Sequence, residues 1–523
     1  MRRFVQATIG IPGASSEGMR DKREASAHSV WSRGTHRLRR ALVPALVLAE
    51  SACMRPAADT RASGSWVYDV EAPTNGSSIV TVEATFDGAH TDRIAIGQES
   101  APFIHDMRVR TEGGYRPIAR QGSAWIEPSC ARRCTVRYRL DLSELAAGCG
   151  DDVDCARRVD GATLSPSLAW LAHPVPRTDV PVDVRVKAPN AMQFLSGMAE
   201  SDESGRAFSF RSYDLDEGSF TAFGPLRRFR VDVPGLHPAR IDVAVVGAHA
   251  YAMPDDAMRA WIRQAADVVT PLFGRFPVER TTLFVVPAIG ENEVIFGKVL
   301  SLAGASIVLV VGDKMPASAT KQDWVLVHEL FHLGFPTFRG EGRWLGEGLA
   351  TYYEPVLRAR AGWTTDGEVF RQFARNMPRG VARRGSASGL AQRSDLDSIY
   401  WGGALFCFAA DVRIRQETRG KHTLDDVVRA ALARGGDATK VWTVAEVVRV
   451  GDDVTGTHVL SSMYDRYAAR GEQIDLESLL LSLGVERGES GIEIDDHQPL
   501  AWIRKSIIDR GDVSLVSRAT AEK

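Results

Sequence analysis

The spacing of apolar residues changes near residue 250. Before that point, short segments alternate apolar and polar residues, and Gly, Pro and Asn separate them; four of these segments are 79–86, 182–186, 229–233 and 241–245. Alternation places every second side chain on one face of a strand. Repeated short strands with turn signals predict an antiparallel β-sandwich-like N-terminal domain over residues 66–246.

After residue 250 the pattern indicates helices and buried strands. A helix is predicted from Asp255 to Phe273, because Pro254 precedes it and Gly274 can stop it. Buried strands are predicted at 281–286 and 307–311, and helices at 321–335, 343–358, 400–417, 423–433, 443–450, 457–470 and 475–483. The acidic stretch 486–496 is interpreted as a loop. This order predicts an α+β fold, with one domain at 247–390 and a helical C-terminal part at 391–523.

Length, charge and hydropathy exclude some classes of protein. A chain of 523 residues suits two or three domains. The net charge of -2 gives no basic excess for binding nucleic acid, so no nucleic-acid partner is expected. No stretch reaches the roughly 18 apolar residues that a membrane-spanning helix needs. The oligomeric state is left open.

The N-terminus has the pattern of an export signal. Basic residues within 1–40 precede a short apolar run, Ala41–Ala49, and then Ser51-Ala52-Cys53. This order predicts a secretory signal region over 1–53, and the alternative is an amphipathic or disordered tail. The ending also resembles a bacterial lipoprotein signal, which implies a lipidated Cys53 and membrane attachment. Residues 54–65 would form a tether. We therefore expect an exported protein in the periplasm or cell envelope.

Six cysteines fit that compartment. If Cys53 carries a lipid and Cys407 is a small core residue of an apolar helix, four remain, in two closely spaced pairs: Cys130 with Cys134, and Cys149 with Cys155. An even set in an exported protein predicts two disulfides, most simply within those pairs. The alternative is a Cys₄ zinc site, which the spacings fit less well.

The segment Trp324–Leu333 contains H-E-x-x-H within an apolar helix. Residues four apart share a helical face, so His328 and His332 can present their imidazoles to one zinc ion. Glu329 can then reach the water side of the metal as a general base. The alternatives are a chance match and two satisfied core histidines, but an apolar helix gives little reason to bury such groups.

A third zinc ligand is expected on the following helix. A catalytic zinc commonly has three protein ligands, and Glu347 completes a His₂Glu set for one zinc per chain. Glu354, two turns later on the same face, is the competing ligand. Glu347 is favoured because Gly346 and Gly348 leave room for close helix packing at the metal. Thr351, one turn after Glu347, can hydrogen-bond a ligand histidine.

These motifs resemble those of a known group of enzymes. H-E-L-F-H-L followed by W-L-G-E-G-L-A-T-Y-Y-E resembles the gluzincin zinc metallopeptidases, particularly the glycyl aminopeptidase family and more distantly the aminopeptidase N family. The resemblance implies that 247–390 is a thermolysin-like gluzincin catalytic domain that hydrolyses peptides or proteins. Two departures are Gly346, where those families commonly carry Asn, and a shorter gap between the motifs.

A downstream segment extends the resemblance. Ile399-Tyr400-Trp401-Gly402-Gly403-Ala404-Leu405 is similar to the Tyr-x-Lys-Gly-Ala-Leu segment of both families. This implies that Tyr400 donates a hydrogen bond to the tetrahedral intermediate, and that the part at 391–523 completes the active site. A phenol suits that role. Gly402 replaces the usual Lys, and the alternative is a core aromatic residue at a helix start.

One motif of the aminopeptidase N-like enzymes is missing. Those enzymes carry Gly-x-Met-Glu-Asn on an edge strand, and its Glu binds the free amine of the substrate. The corresponding stretch here, 297–307, contains no Glu, and Gly290-Glu291-Asn292-Glu293 is interpreted as a nearby loop. The choice between endopeptidase and exopeptidase therefore stays open, although such a strand can still pair with an extended peptide.

Two other functions compete with zinc-dependent peptide hydrolysis. One is a zinc hydrolase of a small non-peptide molecule, which a narrow closed pocket would favour. The other is a non-catalytic peptide-binding protein on the same fold. The combination of zinc ligands with Glu329 argues against the second, because a binding protein needs no general base.

Overall fold

The N-terminal half consists mainly of strands, and buried and more exposed residues alternate along several of them. The computed structural model describes residues 64–74, 76–150, 152–190, 193–381, 388–488 and 491–509, and these belong to one compact unit. The predicted signal region and most of the tether therefore lie outside the described residues. The first strands and helix are β1 (Trp66–Glu71), β2 (Ile79–Asp87), β3 (Arg93–Ala95), β4 (Ile104–Thr111), β5 (Gly114–Pro117), β6 (Arg120–Gln121), β7 (Ala124–Ile126), β8 (Arg133–Asp141), α1 (Leu142–Gly148), β9 (Arg157–Val159), β10 (Ala162–Pro166), β11 (His173–Pro174), β12 (Pro181–Lys187), β13 (Phe194–Ser196), β14 (Ala207–Arg211) and β15 (Phe220–Phe223).

These strands form three sheets. The largest has the order β14-β12-β1-β2-β8-β4-β5, and the two four-stranded sheets have the orders β13-β15-β10-β9 and β11-β3-β7-β6. Every second residue of β2 is buried, so one face of the large sheet covers a core that contains Trp66, Phe86 and Trp170. The strands pair antiparallel as expected, except that β1 and β12 are parallel.

A five-stranded sheet follows. Its strands are β16 (Leu226–Val233), β17 (Ala239–Val246), β18 (Arg280–Ala288), β19 (Val294–Leu300) and β20 (Ser306–Gly312), in the order β16-β17-β18-β20-β19. All seven residues of β20 are buried, as is typical of a strand covered on both faces. β19 runs antiparallel to β20 and lies at the edge of the sheet. The boundary expected at 246 therefore falls within the segment that builds this sheet.

Helices form the remainder of the chain. They are α2 (Asp255–Phe273), α3 (Val325–His332), α4 (Arg343–Arg360), α5 (Asp366–Gly380), α6 (Gly403–Thr418), α7 (Leu424–Ala433), α8 (Val444–Thr455), α9 (Val459–Met463), α10 (Leu476–Ser482) and α11 (Ala501–Ile508). α2 has the predicted bounds and ends at Gly274 in a left-handed conformation, with φ of 76°. A π-helical turn, Ser398–Gly402, leads into α6. None of the helices in the described part of the chain is long and apolar enough to cross a membrane.

Two parts of the helical region differ from expectation. The acidic stretch interpreted as a loop contains a hairpin of β21 (Val485–Gly488) and β22 (Gly491–Ile494). Backbone hydrogen bonds hold a two-stranded ladder together whatever its side chains are. This stretch has few apolar residues, so it lacks the alternation that would have predicted its strands. Helix α5 was not predicted, since Gly367 and Pro378 within it lower its helix propensity.

The cysteines pair as expected. Disulfides join Cys130 to Cys134 and Cys149 to Cys155, which excludes a Cys₄ zinc site. Cys407 is a buried free thiol in α6. The predicted lipidation site, Cys53, lies outside the described residues.

Candidate active site

Two consecutive helices bring three metal-binding side chains together. His328 and His332 lie one turn apart on α3, and Glu347 follows on α4. The two Nε2 atoms are 3.2 Å apart. Oε2 of Glu347 lies 3.4 Å from Nε2 of His328 and 3.5 Å from Nε2 of His332. The three donor atoms therefore form a nearly equilateral triangle.

The size of this triangle fits zinc. Zinc lies about 2.0–2.2 Å from nitrogen and oxygen ligands, so tetrahedral ligands stand about 3.3–3.6 Å apart. The separations of 3.2–3.5 Å between these side chains are close to that spacing. Two imidazoles and one carboxylate are also a common ligand set of catalytic zinc. These residues can hold one zinc ion.

Two of the three side chains, His328 and Glu347, are held in the charge states that suit a metal. Burial lowers the pKa of His328, although Glu347 opposes this effect. Burial acts to raise the pKa of Glu347, but the two histidines outweigh it and hold that pKa well below its usual range. Burial also acts to lower the pKa of His332, yet Glu347 raises it overall. A neutral imidazole and a charged carboxylate are the forms that bind metal.

Glu329 lies between the metal-binding group and the edge strand. Its side chain is buried, and a Cβ built on Gly297 of β19 would lie 2.6 Å from its Cγ and 2.7 Å from its Oε1. Only glycine allows the strand to approach this closely. Burial raises the pKa of Glu329 to about 8, so the carboxyl group titrates near neutral pH.

Tyr400 faces the same group from the π-helical turn. Its ring stacks on the imidazole of His328, with centroids 6.2 Å apart and an interplanar angle of 29°. Burial raises the pKa of Tyr400 far above its usual range, so the phenol keeps its proton and can donate a hydrogen bond. π-helical turns are rare and frequently occur at functional sites.

The competing ligand points elsewhere. Oε1 of Glu354 accepts a hydrogen bond from Nη1 of Arg358 at 2.8 Å, in a buried ion pair. The hydroxyl of Thr351 is buried without a hydrogen-bond partner in the part of the chain that the structure describes, so it makes no hydrogen bond to a ligand histidine. Gly348 allows close helix packing as expected, but the helix packed there is α6. A Cβ added at Gly348 would lie 2.5 Å from Cα of Gly403.

The three metal-binding side chains line one cleft with Glu329 and Tyr400, and its volume is about 1260 Å³. β19 forms one wall, and loops of the N-terminal sheets face it. The cleft residues that the sequence did not reveal include Asp154, Glu217 and Arg343, which come from separate parts of the chain. Arg343 was detectable, since it stands one turn before Glu347, and its Nε lies 3.8 Å from Oε1 of that residue. The other two come from loops far away in sequence, which no local pattern connects to the site.

Comparison with known proteins agrees with this architecture. No protein-family model and no curated protein sequence matches the chain. Among solved structures, an aminopeptidase N family protein from Idiomarina loihiensis has a TM-score of 0.60 at 15% identity, over 83% of this chain and 82% of that one. An M1 zinc metallopeptidase from Deinococcus radiodurans has a TM-score of 0.49 at 15% identity, over 78% and 94%. The first likeness shows that this chain shares the fold of that protein, which confirms the predicted α+β class.

Proposed function

We propose that this chain is a zinc-dependent peptidase. The observation that carries the proposal is the triangle of His328, His332 and Glu347, whose donor atoms have the spacing of tetrahedral zinc ligands. A buried carboxylate and a protonated phenol, Glu329 and Tyr400, stand beside it in one cleft. The fold shared with an aminopeptidase N family protein favours the same reaction class by analogy only, so the site residues carry the proposal.

A peptide is the substrate that the cleft fits. β19 has one edge without a partner strand among the described strands, and it lines the cleft from Ile295 to Leu300. An extended chain can add to such an edge through main-chain hydrogen bonds. The cleft is also too large and open for the narrow pocket that a small non-peptide substrate would favour. We therefore favour a peptide over a small non-peptide molecule as the substrate.

The residues divide the reaction between them. Zinc, when bound, acts as a Lewis acid on the scissile carbonyl and increases the acidity of water. Glu329 accepts the proton of the attacking water and later delivers it to the leaving amine. Tyr400 donates a hydrogen bond to the oxygen that gains negative charge. Gly297 lets β19 hold the scissile bond next to Glu329.

Export of the protein is part of the proposal. The pattern of residues 1–53 supports a secretory signal, and a lipid on Cys53 would attach the mature chain to a membrane. The two disulfides support an oxidising compartment such as the periplasm or cell envelope.

Metal analysis combined with a peptide-library assay tests the function. Purified protein should carry about one zinc per chain and cleave peptides. A chelator should abolish cleavage, and added zinc should restore it. His328→Ala and His332→Ala should each empty the site, and His458→Ala, which replaces an exposed histidine, is the matched control. Full zinc retention in both ligand variants would contradict the proposal. A zinc-loaded parent that binds peptides without cleaving them would instead support the binding-protein alternative.

A further inference from the structure

One partly buried carboxylate in the cleft has no partner among the described residues. Glu217 is partly buried and follows a short 3₁₀ turn, Ser212–Asp216, in the wall that faces β19. Its side chain has no hydrogen bond or ion pair with any described residue. A partly buried carboxylate normally gains such a partner, because burial without one costs free energy. Glu217 is therefore available to a cation that enters the cleft.

The backbone around Glu217 is fixed. The carbonyl of Gly218 accepts a hydrogen bond from the amide of Ala303 at 3.1 Å, and the amide of Ser219 donates to the hydroxyl of Ser167 at 3.1 Å. Ala303 lies three residues beyond the end of β19. These bonds place the backbone of Glu217 at the Leu300 end of the cleft, within reach of a ligand that lies along β19.

The distance to the reacting groups follows from the strand. Gly297, at the middle of β19, contacts Glu329, and Leu300 ends the strand three residues later. A strand advances about 3.3 Å per residue, so this end of the cleft lies about 10 Å from Glu329 along β19. A peptide that pairs with β19 would place a residue about two to four positions from its scissile bond near Glu217.

The nearby cations are already paired. Nζ of Lys298 lies 2.8 Å from Oδ1 of Asp154. Nη2 of Arg339 lies 3.7 Å from Oδ2 of Asp216 and donates to the carbonyl of Tyr213 at 3.2 Å. Burial raises the pKa of Glu217, while Arg339 and Lys298 partly oppose this. A cationic ligand would stabilise the charged carboxylate that burial disfavours.

The edge strand cannot supply this charge itself. β19 has the sequence V-I-F-G-K-V-L, which contains no acidic residue, and Leu300 is buried in the core behind the sheet. The opposite wall carries two acidic residues at this end, Asp216 and Glu217, and Asp216 is already paired with Arg339.

We propose that Glu217 is a specificity residue that binds a positively charged group of the peptide, either its α-ammonium group or a lysine or arginine side chain. The inference deepens the proposed peptidase function and depends on it for the substrate class. An ammonium or guanidinium group near Glu217 would form a charge-assisted hydrogen bond in a partly desolvated site. Because the bond forms away from the scissile bond, it would select substrates without taking part in the chemistry.

Peptide binding to zinc-loaded protein tests the inference. The background is Glu329→Gln, so that peptides stay intact, and Glu217→Gln is added to it. The probes are fluorescent peptides of alanine and leucine in which one lysine, or norleucine in its place, moves stepwise along the chain, each with a free or acetylated amino terminus. Glu217→Gln should weaken binding of cationic peptides by roughly ten- to thirtyfold, about the value of one charge-assisted hydrogen bond. Neutral peptides should bind unchanged.

The arms identify the source of the charge. If Glu217→Gln weakens binding only of peptides with a free amino terminus, the site binds the α-ammonium group. If it weakens binding of acetylated peptides that carry lysine at one particular position, the site binds a side chain. Glu99→Gln is the matched control, because Glu99 is an exposed carboxylate in the same cleft. Glu217→Lys is a second variant, which should reverse the preference toward acidic peptides.

Three results would overturn the inference: equal affinities with and without Glu217→Gln, an equal loss for neutral peptides, or the same loss in Glu99→Gln. Cleavage by the parent is measured separately. If the parent cleaves peptides but Glu217→Gln leaves binding unchanged, only this inference fails. If the parent cleaves nothing, the peptidase proposal fails while binding still decides the role of Glu217.

Discussion

The two glutamates at the metal-binding group, Glu347 and Glu329, differ in protonation state near neutral pH. Glu347 is held charged by the histidines, whereas burial raises the pKa of Glu329 to about 8. One carboxylate is therefore suited to bind a metal, and the other to exchange a proton near neutral pH. Different environments assign different chemistry to two glutamates in one cleft.

Removing the base should spare the metal. Glu329→Gln keeps the size of the side chain and removes its basicity, so zinc should stay bound. Hydrolysis should fall by about two to four orders of magnitude, which is the usual contribution of a positioned acid–base group. Glu341→Gln makes the same change at an exposed site and should behave as the parent. Zinc content is measured beside turnover of a peptide library, and unchanged turnover in Glu329→Gln would disprove the mechanism.

Removing the phenol is a separate test. Tyr400→Phe keeps the ring that stacks on His328 and deletes the hydroxyl. We expect zinc content to be unchanged and kcat to fall by about ten- to a thousandfold if the hydroxyl stabilises the oxyanion. Parent-like kcat would leave Tyr400 as a packing residue.

A buried histidine should make stability depend on pH. His173 donates from Nδ1 to the carbonyl of Leu171 at 3.1 Å, and its Nε2 accepts from Arg177 at 2.9 Å. Burial, reinforced by Arg177, lowers its pKa to about 3. Between pH 6.5 and 3 the unfolded chain binds a proton that the folded chain rejects, so stability falls as the pH falls.

His173→Gln removes this titration and should flatten the dependence. The free energy of unfolding is measured by urea denaturation from pH 6.5 to 4.5. Its decrease per pH unit should be smaller in His173→Gln than in the parent, by up to about 1.4 kcal/mol. His458→Gln replaces an exposed histidine and should leave the slope unchanged. Identical slopes in His173→Gln and the parent would show that His173 is not responsible.

At the scale of elements, a buried carboxylate joins three helices behind the cleft. Asp411 of α6 accepts from the hydroxyl of Tyr352 at 2.7 Å, from Nε of Arg415 at 3.1 Å and from the amide of Leu424 at 2.8 Å. These partners belong to α4, α6 and α7. Because α4 carries Glu347 and α6 follows Tyr400, this junction supports the geometry of the site.

Breaking the junction should be costly. Asp411→Ala leaves the Arg415 guanidinium buried without its carboxylate, which should destabilise the fold by about 3–5 kcal/mol. Asp453→Ala removes a partner from an exposed ion pair with Arg434 and should cost about 1 kcal/mol or less. Chemical denaturation compares the two variants. Equal losses would mean that the Asp411 junction is no stronger than a surface pair.

Local patterns predicted elements better than their partners. The bounds of α2 follow from its apolar period together with Pro254 and Gly274, and all three act within a few residues. β16 and β17 were recognised as strands but were expected in the N-terminal domain. They instead belong to the five-stranded sheet with β18, because long-range contacts decide which strands pair. In the site, the H-E-x-x-H spacing identified His328, Glu329 and His332 as candidates, whereas Glu217 reaches the cleft only through the tertiary fold.

At the scale of the whole molecule, the cleft depends on both halves of the described chain. Asp154 pairs with Lys298 of the edge strand, and the guanidinium of Arg280 donates to the carbonyl of Ser196 at 2.9 Å. The N-terminal sheets thus provide the wall opposite β19. Peptide recognition should therefore require the N-terminal sheets as well as the metal-binding helices.

The redox state of the cysteines tests export of the whole molecule. If the chain folds outside the cytoplasm, the four cysteines between 130 and 155 should be oxidised in native protein. Alkylation under denaturing, non-reducing conditions, followed by mass spectrometry, should label Cys407 and spare those four. The mature amino terminus should lie near Cys53, with a lipid mass on that residue if the lipoprotein pattern is used. Protein made in a reducing cytoplasm keeps its signal region, is the matched control and should expose all six thiols, including Cys53. Four free thiols in protein from its native compartment would contradict both the disulfides and export, because cytosolic reductants keep such pairs reduced.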